Sequence, residues 1–166
     1  NGRTPLHAAA CFGHWECLNL LLEHGADPDV QDDDALTPLH LAAFNGNYLC
    51  IFFLLAKNSN FKLKTKDGIN PLHYAAYNGH LAAVHLLIEK GAPVNCMDDR
   101  NVTPLHYAAA CNRWEVIRYL LFKGADTDFM NKEGVTLDVC CLFGNWCFVT
   151  WCLQIYVCVC VCMCMY

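Results

Sequence analysis

The sequence predicts an all-α fold assembled from short repeats, and three observations carry this prediction. The segment "TPLH", or "NPLH" once, returns every 33 residues, starting at Thr4, Thr37, Asn70 and Thr103. Thr or Asn followed by Pro is typical of a helix start, because the side chain caps the first turn and Pro needs no N–H there. Gly or Asn, which accept the left-handed backbone of a helix end, recur twice in each period. Self-similarity at this period is typical of a repeat array.

The first helix of each unit is predicted to begin at the Pro of this motif and to end about two turns later. Alanine pairs in its middle allow a neighbouring helix to approach closely, at Ala9–Ala10, Ala42–Ala43, Ala75–Ala76 and Ala108–Ala109. The predicted stops are Gly13, Gly46, Gly79 and Asn112.

The second helix of each unit is predicted from an apolar stripe with helical spacing, such as Leu18, Leu21 and Leu22 in the first unit. Its predicted stops are Gly25, Asn58, Gly91 and Gly124. Cys17 and Cys50 stand where other units have Ala83 and Val116, so both are expected to act as small core residues.

The period divides most of the chain into four complete units and leaves two further segments. The units are 1–33, 34–66, 67–99 and 100–132; a degenerate fifth covers 133–155, and a low-complexity Cys/Val/Met tail covers 156–166. The fifth starts in register, then loses its Pro and carries Asp138 in place of His and Cys140–Cys141 in place of the alanine pair.

These motifs resemble the ankyrin-repeat family, and the resemblance covers the four complete units. It implies an all-α ankyrin-repeat solenoid in which helix–turn–helix units are joined by β-hairpin loops. It also implies a non-catalytic role as a scaffold or adaptor segment, which binds a partner protein through hairpin tips and the concave groove.

Composition narrows the class of partner and the compartment. The net charge is −5 with acids and bases interspersed, so neither nucleic acid nor an anionic membrane surface is favoured. No charged signal region precedes an apolar run, which favours the cytoplasm, with the nucleus as the alternative. Because Asn1 leads directly into a motif, the chain is expected to be part of a longer protein.

No enzyme, cofactor, metal or small-molecule substrate is predicted. The repeated His7, His40, His73 and His106 would lie roughly 8–10 Å apart in stacked helices, too far to share one zinc ion. In the family these histidines hydrogen-bond the turn. The acidic segment 27–34 lacks the central Gly and terminal Glu of a calcium loop, so it is expected to be a solvated hairpin tip.

The resemblance places the partner-binding surface at positions that the family varies. Phe44 and Tyr77, near the ends of first helices, are either anchors for a partner or spacers between neighbouring helices, and the sequence leaves both readings open. The predicted partner-binding residues are Asp33, Asp34, Leu36, Phe44, Asn45, Lys66, Asp67, Ile69, Tyr77 and Asn78.

One second helix, residues 48–56, is apolar on every side. It has Leu49 and Phe52 where other units have charged or polar residues such as Glu16 and Arg118. A helix of this kind is normally covered on all sides. Another part of the full protein is therefore expected to pack on the convex back of the array.

The segment 139–166 carries no charge and admits four interpretations. Its length would suit a membrane anchor with palmitoylated cysteines. The alternation of Cys and Val would suit a strand with soft-metal thiolates on one face. A strand without metal is a further interpretation, although its composition would make it prone to aggregation. A DNA run of alternating T and G also translates as alternating Cys and Val, and read-through into non-coding sequence is the interpretation that the pattern favours. A membrane is expected as a partner only if the anchor is genuine.

Overall fold

The computed structural model describes residues 2–129 and 132, and the regular structure in these residues is helical. Two helices of similar length fall in each complete unit. They are α1 (Pro5–Phe12), α2 (Trp15–Glu23), α3 (Pro38–Asn45), α4 (Tyr48–Ala56), α5 (Pro71–Asn78), α6 (Leu81–Glu89), α7 (Pro104–Ala110) and α8 (Trp114–Phe122). The predicted all-α fold is confirmed.

The first helix of each unit begins at a reciprocal cap, in which the side chains of the cap residue and of the His three residues later each accept the other residue's backbone N–H. In α3 the Thr37 hydroxyl accepts the backbone N–H of His40, while the N–H of Thr37 donates to Nδ1 of the His40 ring. In α5 Asn70 takes the place of Thr and accepts the N–H groups of Leu72 and His73. The exchange of Thr for Asn therefore preserves the helix start, as the sequence indicates.

Left-handed residues end the helices at the predicted positions. Gly46 follows α3 with φ 71°, and Asn58 follows α4 with φ 61°. At Gly46 a Cβ atom would also lie 2.5 Å from the ring of His80, so both the backbone angle and the space favour glycine. The ring of His80 is held there by a 3.0 Å hydrogen bond from Nε2 to the carbonyl oxygen of Phe44.

The helices form two layers with the core between them. The inner layer consists of α1, α3, α5 and α7, and its helices contact one another more extensively than α2, α4, α6 and α8 of the outer layer do. Fully buried alanines such as Ala42 and Ala75 permit this close approach, and buried leucines such as Leu54 and Leu87 fill the space between layers. The closer inner packing bends the stack into a solenoid whose concave side carries the inner helices.

The units are joined by tight hairpin turns. In the hairpin at 32–36 the N–H of Asp32 donates to Leu36 O and the N–H of Ala35 donates to Asp32 O, both at 2.9 Å. Equivalent pairs of bonds close the hairpins at 65–69 and 98–102, each with a positive φ at its tip. One bond also links each tip to the next, for example Lys66 N–H to Asp34 O. The predicted hairpins are therefore present as turns, although no residue in the described ranges is assigned to a strand.

The expectation that Cys17 and Cys50 are both core residues is only half right. Cys50 is 1% exposed and its thiol points at the carbonyl of Ala9 on α1, whereas Cys17 is exposed. This position is buried by the inner helix of the preceding unit, and the first unit has no preceding one in the described residues. The predictions for the fifth unit, 133–155, and for the tail, 156–166, concern residues outside the described ranges.

We expect residues 1–132 to fold without the rest of the chain as a cooperatively melting helical unit. Four units exceed the roughly three that a repeat array needs to bury its apolar faces. Circular dichroism of a protein cut after Lys132 tests this. A spectrum without helix would contradict the repeat assignment, and the matched control is the 166-residue chain measured under the same conditions.

Candidate partner-binding surface

The repeated histidines tie adjacent units together. Nδ1 of His40 lies 2.8 Å from the Thr37 hydroxyl and accepts the Thr37 N–H. Nε2 therefore carries the proton and donates to Ile69 O, in the next hairpin, at 3.2 Å. His7, His73 and His106 make the same pair of contacts, to the carbonyls of Leu36, Val102 and Phe129. The predicted turn-bonding role of the histidines is confirmed.

Burial keeps the central histidines neutral. It lowers the pKa of His40 and of His73 to about 4, although the carbonyls that their rings face oppose the shift. A buried imidazolium would lose its hydration and could no longer accept the capping N–H. These rings are therefore structural at neutral pH.

Within residues 2–129 and 132, no three His, Cys, Asp or Glu side chains are grouped in a way that could hold a metal ion. We therefore expect chelation at neutral pH to leave the melting temperature of the array unchanged. Differential scanning calorimetry with and without a chelator measures this, with the 1–132 protein as the control for any effect of the remaining cysteines. A fall of several degrees that zinc reverses would contradict the structural role of the histidines.

Two buried aspartates organise the hairpins, and sequence reasoning missed them. Oδ1 of Asp32 accepts the N–H groups of Asp34 and Leu36 at 2.9 Å, and Oδ2 lies 3.2 Å from Nε of Arg3. Asp98 is the equivalent residue two units later, and accepts from two backbone N–H groups and from the hydroxyl of Tyr107. Burial opposes ionisation, but these donors outweigh it and lower the pKa of both carboxyls.

A largely apolar pocket opens on the concave side between the first and third units. It is lined by Arg3, Leu36, His40, Leu41, Phe44 and Tyr74. The ring of Tyr74 meets that of Phe44 edge-on, with 5.6 Å between centroids and 79° between planes. Phe44 remains 42% exposed. The pocket thus offers aromatic surface to the groove.

A second, more polar pocket lies between the hairpins at 65–69 and 98–102, lined by Lys66, Asp67, Ile69, Asp99 and Arg100. The side chain of Arg100 donates to the hydroxyl of Tyr107 at 2.9 Å. Tyr107 in turn meets Tyr77 edge-on at 6.2 Å, and Tyr77 is 42% exposed. Aromatic pairs therefore line the groove in two successive steps, Phe44–Tyr74 and Tyr77–Tyr107.

The ten predicted binding residues comprise four at hairpin tips, four at the groove and two asparagines. The hairpin-tip residues Asp33, Asp34, Lys66 and Asp67 are exposed. The aromatic and aliphatic ones, Leu36, Phe44, Ile69 and Tyr77, border the groove, and the two pockets unite Leu36 with Phe44 and Ile69 with Lys66 and Asp67.

The amides of Asn45 and Asn78 are engaged within the array. Asn45 donates to Leu41 O at 3.0 Å, and Asn78 donates to Phe44 O at 2.7 Å. The side chain of Asn78 therefore also ties the third unit to the second.

Sequence reasoning missed the residues that form the floor of the groove. Leu41, Tyr74 and Tyr107 stand at the same position of successive units, 33 residues apart. The register that located Phe44 and Tyr77 would have found them, because residues at a repeated position face the same side in every unit.

The convex side carries the exposed apolar patch of α4. Tyr48, Leu49 and Phe52 are 44%, 46% and 42% exposed. Next to them the ring of Phe53 stacks on that of Trp15, with 5.5 Å between centroids. The described residues leave Leu49 and Phe52 about half exposed, so a complete cover would have to come from elsewhere.

Comparison with known proteins defines the class. The family model described as "Ankyrin repeats (3 copies)" matches residues 1–65 and 39–131. The chain belongs to the ankyrin-repeat family, whose members are generally non-enzymatic protein-interaction modules.

Curated relatives match over single units. The ankyrin repeat-containing protein P1E11.10 of Schizosaccharomyces pombe is 49% identical over 35 residues, which are 21% of this chain and 17% of that protein. The ankyrin repeat domain-containing protein 13B of Mus musculus and of Homo sapiens is 65% identical over 26 residues, 16% of this chain and 4% of each of those proteins. The matched segment thus spans a small part of each relative's length.

None of the helices in the described part of the chain is long and apolar enough to cross a membrane.

Proposed function

We propose that this chain is a scaffold or adaptor segment that binds a partner protein through its concave groove and hairpin tips. The observation that carries the proposal is the pair of half-exposed aromatic rings, Phe44 and Tyr77, each supported edge-on by a tyrosine of the next unit. Exposed aromatic side chains on a rigid support are common anchors of protein interfaces.

The rigidity of the groove supports the same proposal. Histidine rings and Asn side chains bond each unit to its neighbour, so the aromatic pairs are held in place before a partner arrives. A preorganised surface loses little conformational entropy on binding.

Phe44→Ala and Tyr77→Ala are each expected to weaken partner binding by about 2 kcal/mol or more, the scale of an interface hot spot. Because both rings are partly exposed, stability is expected to change much less. Calorimetric titration of a partner found by unbiased capture, with thermal melting of the same variants, measures both quantities.

The matched controls lie on the opposite side of the array. Leu49→Asp and Phe52→Asp change the convex patch and are expected to leave groove binding intact. If they abolish binding in a folded protein while both alanine variants bind normally, the convex side is the interface.

We further propose that the protein works in the cytoplasm, or in the nucleus. Support comes from Cys11, Cys17, Cys50, Cys96 and Cys111, whose thiols are free, as is usual in a reducing compartment. The alternative function is a membrane-tethered ankyrin protein, which the uncharged segment 139–166 favours. Fractionation of the untagged full-length protein separates them, since only the tethered form sediments with membranes after a high-salt wash.

A further inference from the structure

The apolar pocket of the groove has a charge pattern that an apolar ligand alone would leave unmatched. Two of its neighbouring charges cancel, because Nε of Arg3 lies 3.2 Å from Oδ2 of Asp32. The other carboxylate oxygen of Asp32, Oδ1, accepts hydrogen bonds from the N–H groups of Asp34 and Leu36. As a unit this pair therefore adds little net charge to the pocket.

Two further carboxylates lie on the hairpins next to the pocket. Asp34 is two residues from Leu36, which lines the pocket. Asp67 lines the neighbouring polar pocket and follows Lys66, whose N–H donates to Asp34 O. Asp34 and Asp67 occupy the same position of successive hairpins, and both are exposed. In the described ranges neither side chain forms an ion pair within 4 Å, and the exposed side chain of Lys66 pairs with neither of them. They differ in this from Asp32 and Asp98, whose oxygens are occupied inside their hairpins.

The available carboxylates act on the aromatic lining of the pocket. Burial, together with the charges of Asp67, Asp32 and Asp34, raises the pKa of the Tyr74 hydroxyl. The nearby carboxylates therefore make the electrostatic potential around this hydroxyl negative. Tyr74 meets both Phe44 and His40 edge-on, and the ring of Phe44 remains 42% exposed, so aromatic surface is accessible to another group.

We propose that this pocket receives a basic side chain of the partner, arginine in preference to lysine. The aliphatic stem would lie along Leu36 and Leu41, as long basic side chains do on apolar surface. The planar guanidinium would stack on the aromatic pair and direct its N–H groups to Asp34 and Asp67. This inference rests on the proposed function, and names the chemistry of the partner at the same site.

The test begins with random linear peptides selected for binding to the 166-residue chain. The expected sequences carry arginine beside an apolar residue. Affinities are then measured for a selected peptide and for the same peptide with citrulline, which keeps the shape of arginine and removes its charge. Citrulline is expected to weaken binding by about tenfold, the combined scale of a cation–π contact and an exposed ion pair.

The same two peptides are then measured against a protein variant that lacks both carboxylates, Asp34→Asn/Asp67→Asn. It is expected to bind the arginine peptide about tenfold more weakly and to bind both peptides equally. The matched control is Glu16→Gln/Glu115→Gln, which removes the same charge from exposed positions of α2 and α8 on the convex side and is expected to preserve the preference for arginine.

The outcomes separate this inference from the proposed function. Peptides that lose affinity with Phe44→Ala but show no preference for arginine over citrulline would overturn the basic-residue pocket and leave groove binding standing. An equal citrulline effect in the wild type and the Asn variant would do the same. Peptides indifferent to both Phe44→Ala and Tyr77→Ala, or no selected peptide at all, would count against the groove itself and therefore against both proposals.

Discussion

The array is expected to lose several kcal/mol of unfolding free energy between pH 7 and pH 4, before its buried Asp32 and Asp98 are protonated. The pKa of His40 and of His73 is about 4 in the folded chain, against an ordinary value of 6.5. Between these values the unfolded chain binds more protons, so stability falls as the pH falls. The contribution of each ring is fully present above pH 6.5 and is lost as the pH drops through 4, about 3 kcal/mol for each.

Urea unfolding at a series of pH values measures this slope. In His73→Gln the difference in free energy between pH 7 and pH 4.5 should shrink by about 2 kcal/mol, whatever the variant costs at pH 7. His24→Gln is the control, since His24 is exposed after α2. A slope unchanged in His73→Gln would show that this ring is not buried as a neutral group.

A second loss should follow below about pH 4. The folded pKa of Asp32 and of Asp98 lies below the ordinary value, so each stabilises the array above that value and ceases to as the pH falls through its folded pKa. Acid unfolding should therefore begin with histidines and be completed by aspartates.

Leu54→Ala is expected to destabilise the array by about 2–5 kcal/mol, because removing a fully buried side chain leaves a cavity between the two layers. Leu54 is 0% exposed in the middle of α4 and belongs to the continuous core. Since each unit contacts only its neighbours, damage to the second unit also weakens its interfaces with the first and third.

Leu49→Ala on the same helix is the matched control. Leu49 is 46% exposed, and its truncation is expected to change stability by no more than about 0.5 kcal/mol. Urea midpoints of the two variants at equal m-value measure the contrast. Similar losses for both would mean that the convex patch is covered in solution.

The repeat register and the helix ends could be predicted because their causes are local. Thr37 with Pro38 starts a helix, and Gly46 ends it, through groups only a few residues apart. The resemblance to the family also implied the role of His40, whose partner Thr37 lies three residues away. Its second bond, to Ile69 O in the next hairpin, needed the stacking of units.

The sequence predicted the candidate site as hairpin tips and groove positions, which stays a prediction, and it did not predict the surroundings of each side chain there. Asp32 and Asp34 belong to one acidic run, yet one is buried and fully bonded while the other is exposed. Tyr74 gains its place beside Phe44 from the packing of α5 on α3. Composition cannot distinguish such residues, because their difference lies in what surrounds them.

By itself the sequence determined that this protein is a stack of two-helix units, since the backbone signals for starting and stopping helices are repeated in register. Only the tertiary structure decided which side chains the stack covers. Cys17 and Cys50 share one position, but within the described residues only Cys50 lies against the inner helix of a preceding unit. The burial of a side chain depends on the neighbouring units that pack against it, whereas a repeated motif specifies only the helices of its own unit.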